Sequence, residues 1–189
     1  MLAKLLARDL AIVALTALVW HLAADASAVP GLRGDFAGVV AGLTIGVCGY
    51  LLHEWGHLLG ALAAGSTVHP ARSLASGFLF SFDSRASTRR QFLALSLGGW
   101  VATALALWFV YAQLPSDLFA SRVARGVVVA NVLLVVLIEV PLVAWSLVTG
   151  RVPPVDNQRA PATRSTSAQS SSATLATPSA PASAPLGAD

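Results

Sequence analysis

The residues best suited to chemistry form a five-residue motif, His53-Glu54-Trp55-Gly56-His57, which has the form HExxH. Residues four apart lie on the same face of a helix, so the imidazoles of His53 and His57 can bind one metal ion. Glu54 projects beside that face, where it can take a proton from a water molecule that the metal has acidified. The motif therefore predicts a zinc site with a general base, which is the chemistry of a zinc hydrolase.

A catalytic zinc ion needs a third protein ligand and keeps its fourth position open. The chain contains two glutamates, Glu54 and Glu139, and both lie inside long apolar segments, where an ionisable side chain is costly and points to function. Pro141 removes a helical hydrogen bond and should bend the helix, so that Glu139 can face inward. We therefore expect Glu139 to be the third ligand and keep Asp156 as the alternative. Three other candidates are less suitable: His21, His69 and Asp83.

The composition is that of a membrane protein rather than a soluble domain. Charged residues make up 11% of the 189 residues, against about 25% in soluble domains, and hydrophobic residues make up 56%. The formal net charge of +3 is too small and too scattered for binding to nucleic acid. The single cysteine, Cys48, excludes an intramolecular disulfide and is expected to be a packing residue.

Four long stretches carry little charge and predict helices. They span residues 10–24, 36–64, 92–114 and 123–148. The last three each contain the roughly 20 apolar residues that cross a bilayer, and without period-2 alternation they fit helices rather than a barrel. The first is either an uncleaved helix, which we favour, or a signal peptide that ends near Ala26-Ser27-Ala28. We predict an all-α, polytopic transmembrane bundle of about four helices with a disordered C-terminal tail.

The sequence divides into three regions. Residues 1–35 hold the first helix and an outer loop, residues 36–150 hold the core with the motif, and residues 151–189 are rich in Ala, Ser, Thr and Pro. A tail of that composition cannot bury a core and should be disordered. Within the core, residues 76–82 alternate aromatic and small residues. They fit either a strand or short hairpin at the membrane surface, or an ordinary amphipathic loop.

Lysine and arginine are distributed unevenly among the predicted loops. If four helices cross and the N-terminus lies inside, nine of these residues are cytoplasmic and three, Arg33, Arg122 and Arg125, lie outside. Positively charged residues favour the cytoplasmic side of a membrane. We therefore expect an integral protein of a bacterial inner (cytoplasmic) membrane, with both termini in the cytoplasm.

Glycines recur every four residues along the second apolar segment, at Gly34, Gly38, Gly42 and Gly46. Small residues at this spacing let neighbouring helices approach closely. His53 and His57 continue roughly the same stripe, so both imidazoles should face the protein interior. The alternative is a purely structural packing stripe in which the histidines are hydrogen-bonded polar groups.

The chain resembles the site-2 protease family of intramembrane zinc metalloproteases over about residues 36–150. That family often has HExGH in a core helix, where this chain has HEWGH, and a later helix with Asn-x-x-Pro-x-x-x-Leu-Asp-Gly. Asn131 and Glu139 match the Asn and the acidic ligand of the second motif, with Ile138 at the Leu position. The segments Gly65-Ser66-Thr67-Val68 and Leu97-Gly98-Gly99-Trp100 are similar to the family's layout around the HExxH helix and its Gly-Pro turn.

Five positions depart from the family: Glu139 replaces Asp, Val140 replaces Gly, Leu134 and Gly99 replace Pro, and Ala102 replaces Asn.

The resemblance implies hydrolysis of peptide bonds inside the membrane, with zinc as the cofactor. His53, His57 and Glu139 are then the ligands, and Glu54 is the general base that later protonates the leaving amine. Asn131 either holds the substrate or its oxyanion, or forms an interhelical hydrogen bond. The expected partners are a membrane-spanning protein or peptide substrate and the lipid bilayer, with no nucleic acid.

Two other functions fit the same residues. The chain can be a non-catalytic membrane protein that keeps a metal site for structure or for regulating a membrane partner, which the altered motif in the fourth segment favours. It can also be a transporter or scaffold that uses its two buried glutamates, Glu54 and Glu139, without zinc.

Overall fold

The computed structural model describes residues 1–154, and this part of the chain is mostly helical. Helix α1 spans Leu2–Ala23, α2 spans Leu32–Ala63, α3 spans Arg89–Ala112 and α4 spans Phe119–Thr149. A short 3-10 turn, Asp25–Ala28, joins α1 to α2, and two strands, β1 (Val68–Pro70) and β2 (Phe80–Phe82), lie between α2 and α3. The predicted helical fold class is confirmed. Residues 155–189, with Asp156 and nearly all of the predicted tail, lie outside the described residues.

Within residues 1–154, three helices are long and apolar enough to cross a membrane: α2, α3 and α4. Gly46 of α2 lies against Val127 and Gly42 against Val123, so α4 runs parallel to α2. α3 runs antiparallel to both, as three successive crossings require. Helix α1 carries Lys4, Arg8 and Asp9 in its first half and is not one of the three. The cytoplasmic position of both termini depends on an even number of crossings and stays a prediction.

Glycines on α2 set how closely the neighbouring helices approach. A methyl group at Gly46 would lie 2.2 Å from the side chain of Val127 on α4, and one at Gly56 would lie 2.4 Å from the Gly98 carbonyl oxygen on α3. Both distances are far below van der Waals contact, so these backbones approach as they do because no side chain separates them. The predicted stripe is therefore divided: its first half faces α4, and its second half, beside the motif, faces α3.

The described core contains two apolar clusters at different levels of α2. One surrounds the C-terminal part of the helix and consists of Leu5, Leu58, Ala61, Ala71, Leu79 and Phe80. The other lies near its middle and consists of Ala106, Val110 and Val128, with Ile45 packed against them. His53 and His57 lie on α2 between these two levels, so packed apolar side chains hold the motif from both directions along the helix.

The connection between α2 and α3 forms an antiparallel hairpin in which Val68 pairs with Phe82. The expected strand is confirmed for Phe80–Phe82, which forms the hairpin with Val68–Pro70, while its position at the membrane surface stays a prediction. The guanidinium of Arg8 on α1 donates to the carbonyl of Leu74 at 2.7 Å and to that of Ser76 at 3.0 Å. These two hydrogen bonds tie the turn of the hairpin to the first helix.

Asp9 is a buried carboxylate on α1 that the sequence placed at the edge of the first apolar segment. It is 4% exposed and accepts hydrogen bonds from Arg8 Nε at 2.7 Å and from the indole N–H of Trp55 at 2.8 Å. Trp55 is the central residue of the HExxH motif. One buried charge therefore links α1, the hairpin and the motif through a charge-assisted hydrogen-bond network.

We expect Asp9→Ala to destabilise the protein by about 1–3 kcal/mol, because it leaves the Trp55 and Arg8 donors without their acceptor in a buried position. The measurement is the thermal unfolding midpoint of the purified protein in detergent. Asp25→Ala is the matched control, since Asp25 is exposed in the 3-10 turn. Equal midpoints for the two variants would contradict a structural role of the Asp9 network.

Candidate metal centre

Three side chains from two helices converge on one point. The Nε2 atoms of His53 and His57 on α2 lie 2.9 Å apart, and Oε1 of Glu139 on α4 lies 2.9 Å from the first and 3.1 Å from the second. The side chains are mostly buried, with exposed fractions of 10% for His53, 13% for His57 and 17% for Glu139. The structure thus brings together both motif histidines and the acid that the sequence favoured as their partner.

The second ring nitrogen of each histidine contacts a backbone carbonyl of α3. His53 Nδ1 lies 3.1 Å from the Gly99 oxygen, and His57 Nδ1 lies 2.9 Å from the Leu95 oxygen. A carbonyl oxygen only accepts, so these contacts fit a proton on the Nδ1 atom of each ring. Each Nε2 is then the nitrogen that faces Oε1 of Glu139, and when it carries no proton its lone pair can bind a cation together with that oxygen.

The chemistry of this donor set fits zinc. Two imidazole nitrogens and one carboxylate oxygen are the protein ligands of a large class of catalytic zinc sites, which keep a further position open. The two histidines are four residues apart on one helix face, as the HExxH motif predicts. His53, His57 and Glu139 are therefore the residues that could hold the ion, and their role as ligands stays a prediction.

Helix α3 holds the imidazoles through residues spaced four apart. Leu95 and Gly99 supply the carbonyls, and the hydroxyl of Thr103, which donates to the Gly99 oxygen at 3.0 Å, lies 2.8 Å from His53 Nδ1. The ring of His57 packs directly on Gly99, where a Cβ atom would lie 2.3 Å from Cε1. Partners of this kind fix the tautomer and ring orientation of metal-binding histidines.

A cavity of about 410 Å³ opens beside the three converging side chains. Glu54 lines it together with His53 and His57, is 7% exposed, and is not one of the three converging residues. A carboxylate in that position is available to exchange protons with a water molecule. The remaining wall is mainly aromatic on the side of the hairpin and the start of α3, and aliphatic on α4: Phe78, Phe80, Phe82, Phe92, Leu134, Val135, Ile138 and Leu142.

The hairpin forms one wall of this cavity and is fastened to α2. The hydroxyl of Tyr50, one turn before His53, donates to the carbonyl of Gly77 at 2.8 Å. Phe78 and Phe80, which follow Gly77, reach the cavity. The aromatic wall beside the candidate metal centre is therefore held by the same helix that carries the motif.

Asn131 lines the same cavity, and its Nδ2 donates to the Gly46 carbonyl of α2 at 3.3 Å. This is the interhelical hydrogen bond that was one of its two predicted roles. Asn131 precedes Glu139 by eight residues, which corresponds to about 12 Å along a helix axis. A role of its amide in holding substrate or oxyanion stays a prediction.

The other acids and histidines considered as third ligands do not join the group within the described residues. His21 and His69 are exposed, and Asp83 accepts two backbone hydrogen bonds within its own turn. Asp156 lies outside the described residues, so it is not compared with Glu139.

Cys48 is within hydrogen-bond distance of a threonine of α1, at 3.3 Å, in a helix contact that fits its expected packing role.

Two side chains of α3 that contact the three converging residues were not predicted. The indole of Trp100 donates to Glu139 Oε2 at 2.8 Å, although the sequence placed Trp100 only in the segment that is similar to the family's Gly-Pro turn. Thr103, which lies beside His53 Nδ1, was assigned no role. The regular spacing of Leu95, Gly99 and Thr103 marks one face of α3, but the sequence does not indicate that this face meets the motif.

Comparison of the chain with protein-family models, with curated proteins and with solved structures finds no match in any of the three. The resemblance to the site-2 protease family therefore depends on the motif residues, and a functional conclusion depends on the geometry of the site.

We expect Gly99→Ala to weaken zinc binding by at least about 10-fold, because the added methyl group displaces the His57 ring, whose orientation sets ligand affinity. Zinc affinity is measured by competition with a chelator. Gly126→Ala on α4 is the control, since a methyl group there has no neighbour within 4 Å. Equal affinity in the two variants would show that the His57–Gly99 contact does not position the ligand.

Proposed function

We propose that the chain is an intramembrane zinc metalloprotease that hydrolyses peptide bonds of membrane-spanning substrates. The observation that carries the proposal is the convergence of His53, His57 and Glu139 beside the buried Glu54, on helices long and apolar enough to cross a membrane. Hydrolytic zinc sites combine three protein ligands with an open position and a separate carboxylate base. The HEWGH motif and the step from Asn131 to Glu139, both similar to the site-2 protease family, support the same function.

Each residue of the site has a defined task in this reaction. His53, His57 and Glu139 hold the ion, whose Lewis acidity, when it is bound, acidifies a water molecule and polarises the scissile carbonyl. Glu54 accepts a proton as the water oxygen attacks the carbonyl carbon. It returns that proton to the amide nitrogen as the C–N bond breaks. The new carboxyl group thus keeps the water oxygen, and the amine leaves with the proton.

The surroundings of the site suit an apolar substrate segment. Aliphatic side chains of α4, such as Leu134 and Ile138, and phenylalanines of the hairpin line the cavity, so a peptide from within the bilayer could contact them without losing hydration. We place the protein in a bacterial cytoplasmic membrane, with the hairpin side in the cytoplasm because Arg85, Arg89 and Arg90 flank it. Water then reaches the motif, in the C-terminal half of α2, from that side.

Metal analysis of the purified protein should find about one zinc per chain, because the three converging ligands form one site. His53→Ala and His57→Ala should each abolish binding, whereas His21→Ala, which changes an exposed histidine, should not. The measurement is elemental analysis after dialysis against a weak chelator. Full zinc occupancy in a double His53, His57 variant would contradict the site, and iron in place of zinc would indicate a redox centre with the same ligand set.

Glu54→Gln should keep zinc and lose cleavage by about 10²–10⁴-fold, because the amide keeps the size of the side chain but cannot accept the proton. Glu139→Ala should lose both zinc and cleavage, since it removes a ligand. Cleavage of a membrane-spanning reporter in proteoliposomes and zinc content are measured on the same samples. Unchanged cleavage in Glu54→Gln would contradict the catalytic mechanism.

A non-catalytic membrane protein with a structural or regulatory metal site is the second candidate. Leu134 and Val140 stand where the site-2 protease family has Pro and Gly, and the amide of Asn131 is engaged with Gly46. This candidate predicts zinc binding without zinc-dependent hydrolysis. It also predicts a membrane partner whose binding is lost when the histidines are replaced, which co-purification of the wild type and the double histidine variant would test.

A further inference from the structure

The two oxygens of the Glu139 carboxylate have different partners. Oε1 faces the Nε2 atoms of His53 and His57 at 2.9 and 3.1 Å, while Oε2 accepts a hydrogen bond from the indole Nε1–H of Trp100 at 2.8 Å. The carboxylate is therefore held with one oxygen toward the candidate metal position and the other turned away from it.

The chemistry of the indole restricts what Trp100 can do. An indole N–H donates and has no acceptor, so it neither binds a cation nor exchanges a proton in ordinary acid–base chemistry. A hydrogen bond from a neutral donor to a carboxylate is charge-assisted and short, which fits the distance of 2.8 Å. Trp100 can therefore act on the metal only through the orientation and electron density of Glu139.

Hydrogen bonds within α4 do not fix the Glu139 side chain: among the described residues its partners lie on other helices, His53 and His57 on α2 and Trp100 on α3. Pro141 follows two residues later without an N–H to close the local helical turn. A glutamate has one more rotatable bond than an aspartate, so ordering it around an ion costs more conformational entropy. A donor fixed on a different helix supplies the missing restraint.

We propose that Trp100 is the positioning residue for the third metal ligand: its indole N–H holds Oε2 of Glu139, so that the ion binds through Oε1 alone. The inference rests on the metal site of the proposed function. Helix α3 then orients all three ligands, because it also holds His53 and His57 through the carbonyls of Gly99 and Leu95. Aspartate at position 139 would be shorter by one methylene, so from the same backbone position its carboxylate would not reach both the ion and the Trp100 N–H.

The test compares Trp100→Phe with Trp108→Phe, a change two turns later on α3 at a side chain that is 60% exposed. Trp100→Phe keeps an aromatic ring and removes only the donor and part of its bulk. Cobalt, used as a spectroscopic probe, and zinc are titrated into each protein against a chelator, and helicity is checked by circular dichroism. We expect Trp100→Phe to bind both metals about 10–100-fold more weakly, as loss of an outer partner usually does, and Trp108→Phe to match the wild type.

The same pair of variants in a Glu139→Gln background separates positioning from packing. When the side-chain amide in the Glu139→Gln variant turns its oxygen to the ion, its NH₂ group faces the N–H of Trp100. Two donors then face each other, so the hydrogen bond from Trp100 is lost. In that background Trp100→Phe should no longer weaken cobalt binding. An equal loss in both backgrounds would reduce Trp100 to a packing residue and overturn the inference.

Further readouts separate this inference from the proposed function. At saturating cobalt, the visible absorption of Trp100→Phe should fall, because a released Oε2 allows both carboxylate oxygens to bind and raises the coordination number. Wild-type spectrum and affinity in Trp100→Phe would overturn the positioning role while leaving the metalloprotease proposal intact. A wild-type protein that binds neither metal would overturn both.

Discussion

Two imidazole nitrogens and a carboxylate oxygen that face one another within 3.1 Å are the constraint on which the rest of the structure depends. The carbonyls of α3 accept from the far nitrogen of both rings, so each Nε2 is the nitrogen that faces the carboxylate. In mostly buried surroundings a positive charge among these atoms, which the proposed metal ion would supply, stabilises the arrangement. The HExxH motif supplies two imidazoles whose direction is set by α3, and Glu139 reaches them from α4, which packs parallel to α2.

Close helix packing is what makes those contacts possible. A backbone carbonyl can reach an imidazole only if the two helices approach to the point where side chains between them are absent, as at Gly56 and Gly98. Gly99 then leaves room for the ring of His57 itself. The small residues of α2 and α3 are therefore part of the candidate metal centre, because a methyl group at the contact would move an imidazole as well as a helix.

The sequence predicted the features that have a local signature. Stretches with little charge predicted the helices, the four-residue spacing predicted two histidines on one face, and the rarity of glutamate inside apolar segments identified Glu139. Features that depend on which helix faces meet were not predictable: the burial of Asp9 against Trp55, the hydrogen bond of Trp100, and the division of the glycine stripe between α4 and α3. The composition of the first helix is ambiguous, since its charged first half forms hydrogen bonds to the motif and to the hairpin.

X-ray absorption spectroscopy of the zinc-loaded protein tests the proposed ligand set most directly. We predict a four-coordinate shell of nitrogen and oxygen at about 2.0–2.1 Å, with outer scattering from two imidazoles that disappears together with the metal in His57→Ala. A zinc–sulfur distance of about 2.3 Å, which would require Cys48, or a shell of oxygens without imidazole would contradict it.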